Sequence, residues 1–281
     1  MKIAMIGAGS VGFTRRLFMD IVSVPEFRDT EFRLMDISEE SLEMAANLCG
    51  KMASDNDLPV KIIATTDREE ALAGADYVFC TIRVGGLEAF AHDIEIPLKY
   101  GVDQCVGDTL GPGGVFYALR TIPVLLSIAA DMSELCPNAL LLNHSNPMAM
   151  NCWALRRASN IRVVGLCHGV QAGAAQIACA LQVPLEELEY VCAGINHQTW
   201  FIKVSHKGRD LTDKVLEGFR NNPELSKHEP LRIDVMERFG YYSTESNGHL
   251  SEYLPWYRKR GSEKDRYMDY SVWAGGETGG Y

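Results

Sequence analysis

Short apolar runs alternate with amphipathic segments along the first two thirds of the chain. "KIAMIG" is an apolar run closed by glycine and predicts a buried parallel strand. "GAGSVGFTRRLFMDIV" then turns into a helix. "EFRLMDI", "VKIIATT", "ADYVFCTI", "NALLLNHSNP" and "RVVGLC" predict five further strands. Between them, "SEESLEMAANLCGKMA" predicts a helix capped by Ser38, and "DREEALAG" a shorter one. "GGVFYALRTIPVLLSIAADMSELC" predicts a long helical stretch broken near Pro123. Strands alternating with helices imply an α/β fold with a doubly wound parallel sheet and right-handed crossovers.

The period changes after about residue 185. "EYVCAGINH" and "TWFIKVSHKG" predict longer, less regular strands that pair antiparallel. A polar stretch around "NNPELSKHEP" and aromatic-rich text such as "YLPWYRKR" follow. The expected organisation is a nucleotide-binding domain over residues 1–185 and a second α+β substrate and metal domain over residues 186–281. The closing "WAGGETGGY" predicts no terminal helix or strand, so the second domain is expected to be cut short.

Composition narrows the function classes. The 281 residues are 47% apolar and 23% charged, as in a globular protein with a real core. The formal net charge of −10 repels phosphate backbones and anionic lipid, which argues against nucleic-acid and membrane partners. No uninterrupted apolar run reaches the roughly 18 residues of a membrane span. The opening "MKIAMIGAG" enters a strand directly and lacks the parts of a signal peptide, so a cytoplasmic place is expected. The eight cysteines are then expected as reduced thiols.

Gly7, Gly9 and Gly12 fit a dinucleotide fingerprint between a strand and a helix, the Rossmann-like arrangement. Gly7 permits the tight turn, Gly9 lets the backbone approach a pyrophosphate, and Gly12 is expected to let the helix pack close to the sheet. Helix amides would face the phosphates. Asp36 ends the second strand, 29 residues beyond Gly7. Its carboxylate suits a ribose diol and repels a 2′-phosphate, which favours NAD over NADP.

Cys167 and His168 stand side by side in "VGLCHGVQAG". A thiolate and an imidazole suit Zn, Mn, Fe or Co. Adjacent residues of an extended strand face opposite ways, so a second ligand is expected from elsewhere, and "GINHQTW" offers His197. Taken singly, each Cys or His reads equally as a buried thiol or a satisfied imidazole. Cys49, Cys80, Cys136, Cys152 and Cys179, in apolar or helical contexts, are assigned to buried thiols.

The stretches "KIAMIGAGSVGF", "LMDI", "ADYVFCTIRVGG", "DTLGPGGVFYALRTIPVL", "LLLNHSNPMAMNCWA", "VGLCHGV" and "CAGINH" together resemble glycoside hydrolase family 4, the NAD- and divalent-metal-dependent glycosidases. "TESNGHLSEYLPWY" extends the resemblance to about residue 257. Such enzymes depart from the two-carboxylate scheme of most glycosidases. The resemblance implies transient oxidation at sugar C3 by NAD, loss of the acidified C2 proton, departure of the C1 leaving group, water addition and re-reduction. It places NAD on Gly7, Gly9, Ser10, Gly12, Phe13 and Asp36, and the metal, usually Mn²⁺, on Cys167 and His197. Asn146 matches a substrate contact, and its amide can both donate to and accept from a diol. His168 matches the position of a proposed acid, since an imidazole can pass a proton to a leaving oxygen. Glu245 is the expected base, with Tyr242 and His249 behind it. Asp108 is expected to touch a sugar hydroxyl or to cap the Gly-rich bend. Trp256 and Tyr257 are expected either to stack on a sugar ring or to pack in the core.

Within the family, the text most resembles the branch that takes non-phosphorylated α-galactosides and α-glucosides. His168-Gly169-Val170 stands where members acting on 6-phospho-sugars carry an Asp or Asn and a proline-containing pair. Galactosidase-like members carry Ser after this His, so Gly169 leaves the sugar open. α-Glucuronides, α-galacturonides and 6-phospho-glycosides are the alternatives inside the family. Outside it stand a 2-hydroxy-acid dehydrogenase of the lactate and malate type and a nucleotide-sensing module without activity. The partner is expected to be a small-molecule glycoside, and the full-length protein a homo-oligomer, dimer or tetramer.

Overall fold

The computed structural model describes residues 1–260 and 262. Two compact units form, one from Met1–Gly86 with Ala118–Leu166, the other from Leu87–Tyr117 with the chain from Cys167 onward. The first unit holds a six-stranded sheet made of β1 (Lys2–Ile6), β2 (Glu31–Met35), β3 (Lys61–Thr65), β4 (Tyr77–Cys80), β5 (Leu140–Asn143) and β6 (Arg162–Gly165). Its order is β3-β2-β1-β4-β5-β6, and every pair is parallel. This is the doubly wound order, whose reversal between β1 and β4 opens a crevice at the strands' carboxyl ends.

Helices α1 (Val11–Ser23), α2 (Glu39–Asp55) and α3 (Arg68–Leu72) cross between the first strands. Ser38 caps α2 as its sequence predicts, accepting from the Ser41 amide. Phe18 of α1, Leu42 and Cys49 of α2, and Ile3, Met5, Phe32 and Leu34 of the sheet form one core. On the sheet's other side, Ala4, Ile6, Val78 and Leu141 pack with Leu125, Ile128, Ala129 and Met132.

Those last four belong to α5 (Gly111–Leu135), which runs through Pro123 without the expected break. An interior proline costs about 3 kcal/mol, and here four fully buried side chains in the following turns outweigh it. Because the helix is continuous, it is long and apolar enough to cross a membrane by length and composition, a run the sequence reading divides and so overlooks.

The second unit is built on an antiparallel sheet of β7 (Leu188–Ile195), β8 (Gln198–His206), β9 (Arg209–Asp210) and β10 (Tyr242–Ser243), in the order β10-β8-β7 with β9 on β8. Around it lie α4 (Gly86–Leu98), α7 (Gly169–Leu181), α8 (Val215–Arg220), α9 (Pro223–His228), α10 (Pro230–Phe239) and α11 (Asn247–Tyr253). Helix α6 (Met148–Ala158) follows β5 in the first unit.

The second compact unit also takes in residues before the boundary expected after residue 185. Helix α7 presents Ala174, Ile177, Ala178 and Ala180 to Leu188, Phe201, Val204, Phe219 and Tyr242, so its buried face belongs to the second core. The excursion 87–117, for which the sequence reading offers no element before "GGVFYALR", also joins the second unit. "WAGGETGGY", residues 273–281, lies outside the described residues.

Candidate active site and metal centre

In the first unit the glycine-rich turn sits at the carboxyl end of β1. Gly7 has φ +90, and a Cβ there would meet the Thr81 backbone at 2.9 Å, so glycine is required twice over. A Cβ on Gly9 would lie 2.7 Å from Asp36 Cγ. Asp36 accepts from the Gly9 amide at 2.8 Å and the Ser38 amide at 3.0 Å, using one oxygen for each. Each oxygen keeps a second lone pair for a ribose hydroxyl.

Gly12 differs from expectation. A Cβ there meets nothing within 4 Å, so the space beside it is open and close helix–sheet packing is not its reason. Ser10 gives α1 no side-chain cap, and the first turn holds no acidic residue. The turn's own amides, from Gly7 to Val11, are bonded within the protein, so it is the first turn of α1, at Gly12 and Phe13, that offers amides of the kind that suit a pyrophosphate. Phe13 is 46% exposed and meets the His144 ring edge-on at 5.5 Å. The buried Nε2 of His144 has no hydrogen-bond partner, an orphaned polar atom whose ring packs against Phe13 at the start of α1 and which the sequence does not signal. Asn146 stands two residues further on, half-buried after β5.

The second unit brings together Cys167, His197 and Glu245, whose potential donor atoms all lie within 4.8 Å of one another. Three separate pieces of chain supply them. Cys167 precedes α7, His197 sits in the turn between β7 and β8, and Glu245 follows β10. The Cys167 Sγ accepts from the Gly169 amide at 3.5 Å, is hydrogen-bonded by the Asn196 side chain, and lies 3.9 Å from Glu245 Oε1. Burial pushes the thiol up from its usual range. Burial also raises Glu245 to about 7, with the Asp108 carboxylate adding to the rise and the Arg232 guanidinium opposing it.

His197 is almost fully buried, and burial holds it down at about 4, with His249 adding to the effect. It is thus a neutral imidazole, the form that ligates metals. Its Nδ1 lies 2.7 Å from Thr109 Oγ1, whose hydroxyl donates to Asp108 Oδ1 at 2.7 Å. A hydroxyl has one proton, and a carboxylate only accepts. Thr109 must therefore accept from His197 Nδ1–H, which leaves the Nε2 lone pair for a ligand.

Asp108 is 1% exposed and accepts from the Thr109 hydroxyl in this relay. Asp108, His197 and His249 form a second convergent donor group. The rings of His197 and His249 stand 4.7 Å apart, and His249 Nδ1 meets Ser246 Oγ at 2.9 Å. The other expected loop residue, Tyr242, is buried, stacked on Phe219 at 4.4 Å, and its hydroxyl donates to Gln176 Oε1 at 3.1 Å.

His168 is exposed at the N-cap of α7, and its side chain makes no capping bond, so it is accessible to a ligand. Tyr257 is core, its hydroxyl donating to Asp234 at 2.7 Å, whereas Trp256 is 55% exposed beside Phe239. Of the cysteines assigned to buried thiols, Cys49, Cys80 and Cys136 are buried, Cys152 is half-buried and Cys179 is exposed. All eight are free.

A thiol, a neutral imidazole and a carboxylate fit a divalent transition ion, and the glycine turn with Asp36 fits a dinucleotide. Comparison with known proteins gives the same direction. Residues 2–183 match the model of the family 4 glycosyl hydrolases, and residues 192–277 match that of the family's C-terminal domain. The chain is 57% identical to an alpha-galactosidase of Rhizobium meliloti (strain 1021), over 100% of this chain and 58% of that protein. It is 39% identical to an alpha-galactosidase of Bacillus subtilis (strain 168), over 92% of this chain and 60% of that one. The 6-phospho-beta glucosidase from Thermotoga maritima, solved with manganese, NAD+ and glucose-6-phosphate, superposes with TM-score 0.76 at 26% identity, covering 97% of this chain and 62% of that one. The chain thus spans about three fifths of the length of the relatives it matches. With both of its parts matched in sequence order, the chain belongs to glycosyl hydrolase family 4.

Proposed function

We propose that this protein cleaves α-glycosides, α-galactosides first and α-glucosides next, by transient oxidation of the sugar with NAD and a divalent ion, Mn²⁺ being the expected one. The observation that carries this reading is the convergence of Cys167, His197 and Glu245 in a chain that also holds a dinucleotide turn ending on Asp36. When bound, NAD takes and returns the C3 hydride, and the ion polarises the C2 and C3 oxygens. Gly7, Gly9, Ser10, Gly12 and Phe13 line the turn that receives the dinucleotide, and Asp36 accepts from the ribose diol. Asn146 holds a sugar hydroxyl through its amide. His168, exposed and uncommitted at a helix start, protonates the leaving oxygen. Cys167 and His197 hold the ion, and the relay from Asp108 through Thr109 keeps His197 oriented. Of the loop residues expected to supply the base, Glu245 shares a donor group with Cys167 and His197, and His249 shares one with Asp108 and His197.

The rival 2-hydroxy-acid dehydrogenase gives Cys167 and His197 no task, and family membership disfavours it. The 57% identity to an alpha-galactosidase supports galactosides first. α-Galacturonides, α-glucuronides and 6-phospho-glycosides remain the alternatives within the family. The reading carries with it a homo-oligomeric full-length protein working in the cytoplasm.

The test is a panel of nitrophenyl α-galactoside, α-glucoside, α-glucuronide and 6-phospho-glucoside with NAD, Mn²⁺ and a thiol reductant. Nitrophenol release from the α-galactoside that needs both NAD and Mn²⁺, with no net NADH, is expected. Turnover of the phospho-sugar alone would overturn the branch, and full activity in excess chelator would overturn the metal.

A further inference from the structure

Gly169 and Glu245 lie 76 positions apart in the chain and fit one another closely. A Cβ on Gly169 would stand 2.3 Å from Glu245 Oε1 and 3.4 Å from the Thr244 carbonyl oxygen. The carboxylate end therefore occupies the space a side chain at 169 would take, and would have to swing away if one were present. The Gly169 amide at the same time donates to Cys167 Sγ at 3.5 Å. One residue therefore admits the carboxylate and fixes the thiol beside it.

As a thiol, Cys167 donates to Glu245 Oε1 at 3.9 Å and the pair is satisfied, but the thiolate that binds metal loses that proton and faces the carboxylate as a like charge. Glu245 is 7% exposed, and its Oε1 faces a sulfur 3.9 Å away that must be a thiolate to bind metal. Two anions at that distance, withdrawn from water, repel each other strongly. The charge of Arg232 reaches Glu245, but its hydrogen bonds go to Ser243 O, Gln176 and Glu229. A divalent cation held between Sγ, the His197 nitrogen and the carboxylate oxygen removes the repulsion. It also resolves a chemical mismatch. A thiolate and an imidazole alone are a soft pair, better suited to Zn²⁺ than to the harder Mn²⁺, whereas a carboxylate oxygen is the donor that Mn²⁺ prefers.

We infer that Glu245 is a third protein ligand of the metal, seated by the missing side chain of Gly169, and that it biases the site toward a hard divalent ion. This rests on the reading of Cys167 and His197 as metal ligands. It assigns Glu245 to holding the ion rather than to taking the C2 proton.

The test is titration of the protein with Mn²⁺, following the free-ion signal by electron paramagnetic resonance, alongside NAD binding by fluorescence. Glu245→Gln keeps the shape and removes the charge. Its Mn²⁺ Kd is expected to rise by at least about tenfold, while its NAD Kd stays within about twofold and its Zn²⁺ affinity falls less than its Mn²⁺ affinity. Gly169→Ala is expected to raise the Mn²⁺ Kd similarly, although alanine favours the first turn of a helix over glycine. Cys167→Ser is the reference and should abolish tight binding. Unchanged Mn²⁺ affinity in Glu245→Gln beside lost affinity in Cys167→Ser would overturn the third ligand and return Glu245 to the role of base. Unchanged affinity in Gly169→Ala would overturn the seat. Unchanged affinity in Cys167→Ser would overturn the metal site itself.

Discussion

Thr109 Oγ1 lies 2.7 Å from His197 Nδ1 and donates its own hydrogen bond to Asp108. The hydroxyl thereby selects one tautomer of the imidazole and leaves the Nε2 lone pair available to a ligand. Outer partners of this kind are worth about 10–100-fold in metal affinity. Thr109→Val, which keeps shape and loses the acceptor, should weaken Mn²⁺ binding by about that factor. Thr109→Ser should restore most of it. Equal Mn²⁺ affinity in the valine variant and the wild type would show that the ring is held by packing alone.

The contact between Gly9 and Asp36 gives a second expectation. A methyl group on Gly9 would collide with Asp36 Cγ, displacing the carboxylate proposed to accept from a ribose diol. Gly9→Ala should weaken NAD binding by at least about tenfold and cost about 1–3 kcal/mol of stability from overpacking. Mn²⁺ affinity should be untouched. Joint loss of NAD and Mn²⁺ binding would instead indicate unfolding.

Glu252 sets a pH dependence. Burial pushes its carboxyl up to about 7, although it accepts from the Val106 amide at 2.7 Å and the Gly107 amide at 3.1 Å. A carboxyl whose folded pKa lies above its unfolded value favours folding while protonated. Its contribution is complete below about pH 4.5 and is lost as pH rises toward 7. At about 1.4 kcal/mol per unit the loss is on the order of 3 kcal/mol. A Tm measured across pH 4.5–7.5 should therefore show a downward component that Glu252→Gln lacks, and parallel curves would refute the assignment.

Arg232 holds the segment before Glu245. Its Nη2 donates to Ser243 O at 2.8 Å, its Nη1 bonds Gln176 and Glu229, and its guanidinium stacks over Tyr242 at 4.5 Å. Arg232→Ala leaves Glu229, itself buried, without its cation. Removal of one member of a buried pair costs about 3–5 kcal/mol. A denaturant midpoint within error of the wild type would contradict this.

The parallel sheet was legible because each of its strands is an apolar run closed by a polar or glycine turn, as "KIAMIG" and "VKIIATT" show. The antiparallel pair of β7 and β8 was equally legible from its change of period. Helix α5 was misjudged because local propensity counts Pro123 as a break, whereas burial of Leu125, Ile128 and Met132 settles the matter only in three dimensions. Cys167 and His197 could be paired by resemblance but not by spacing. Thr109 could have been noticed beside Asp108, since hydroxyls next to carboxylates often join relays, but nothing in the string ties it to a histidine 88 positions later. Gly169 read as a puzzle about the sugar, because the volume a missing side chain leaves is visible only against Glu245.

The donors lie far apart along the chain, at residues 108–109, 167, 197 and 245. An ion held by Cys167, His197 and Glu245 would act as a covalent-like tie across segments of 30 and 48 residues, which the unfolded chain would otherwise leave open. The persistence of the segment carrying Glu245 against proteases then follows free ion concentration, by RT ln(1 + [L]/Kd), whether or not any sugar is present. Metal supply would set how long this unit survives as well as how fast it works.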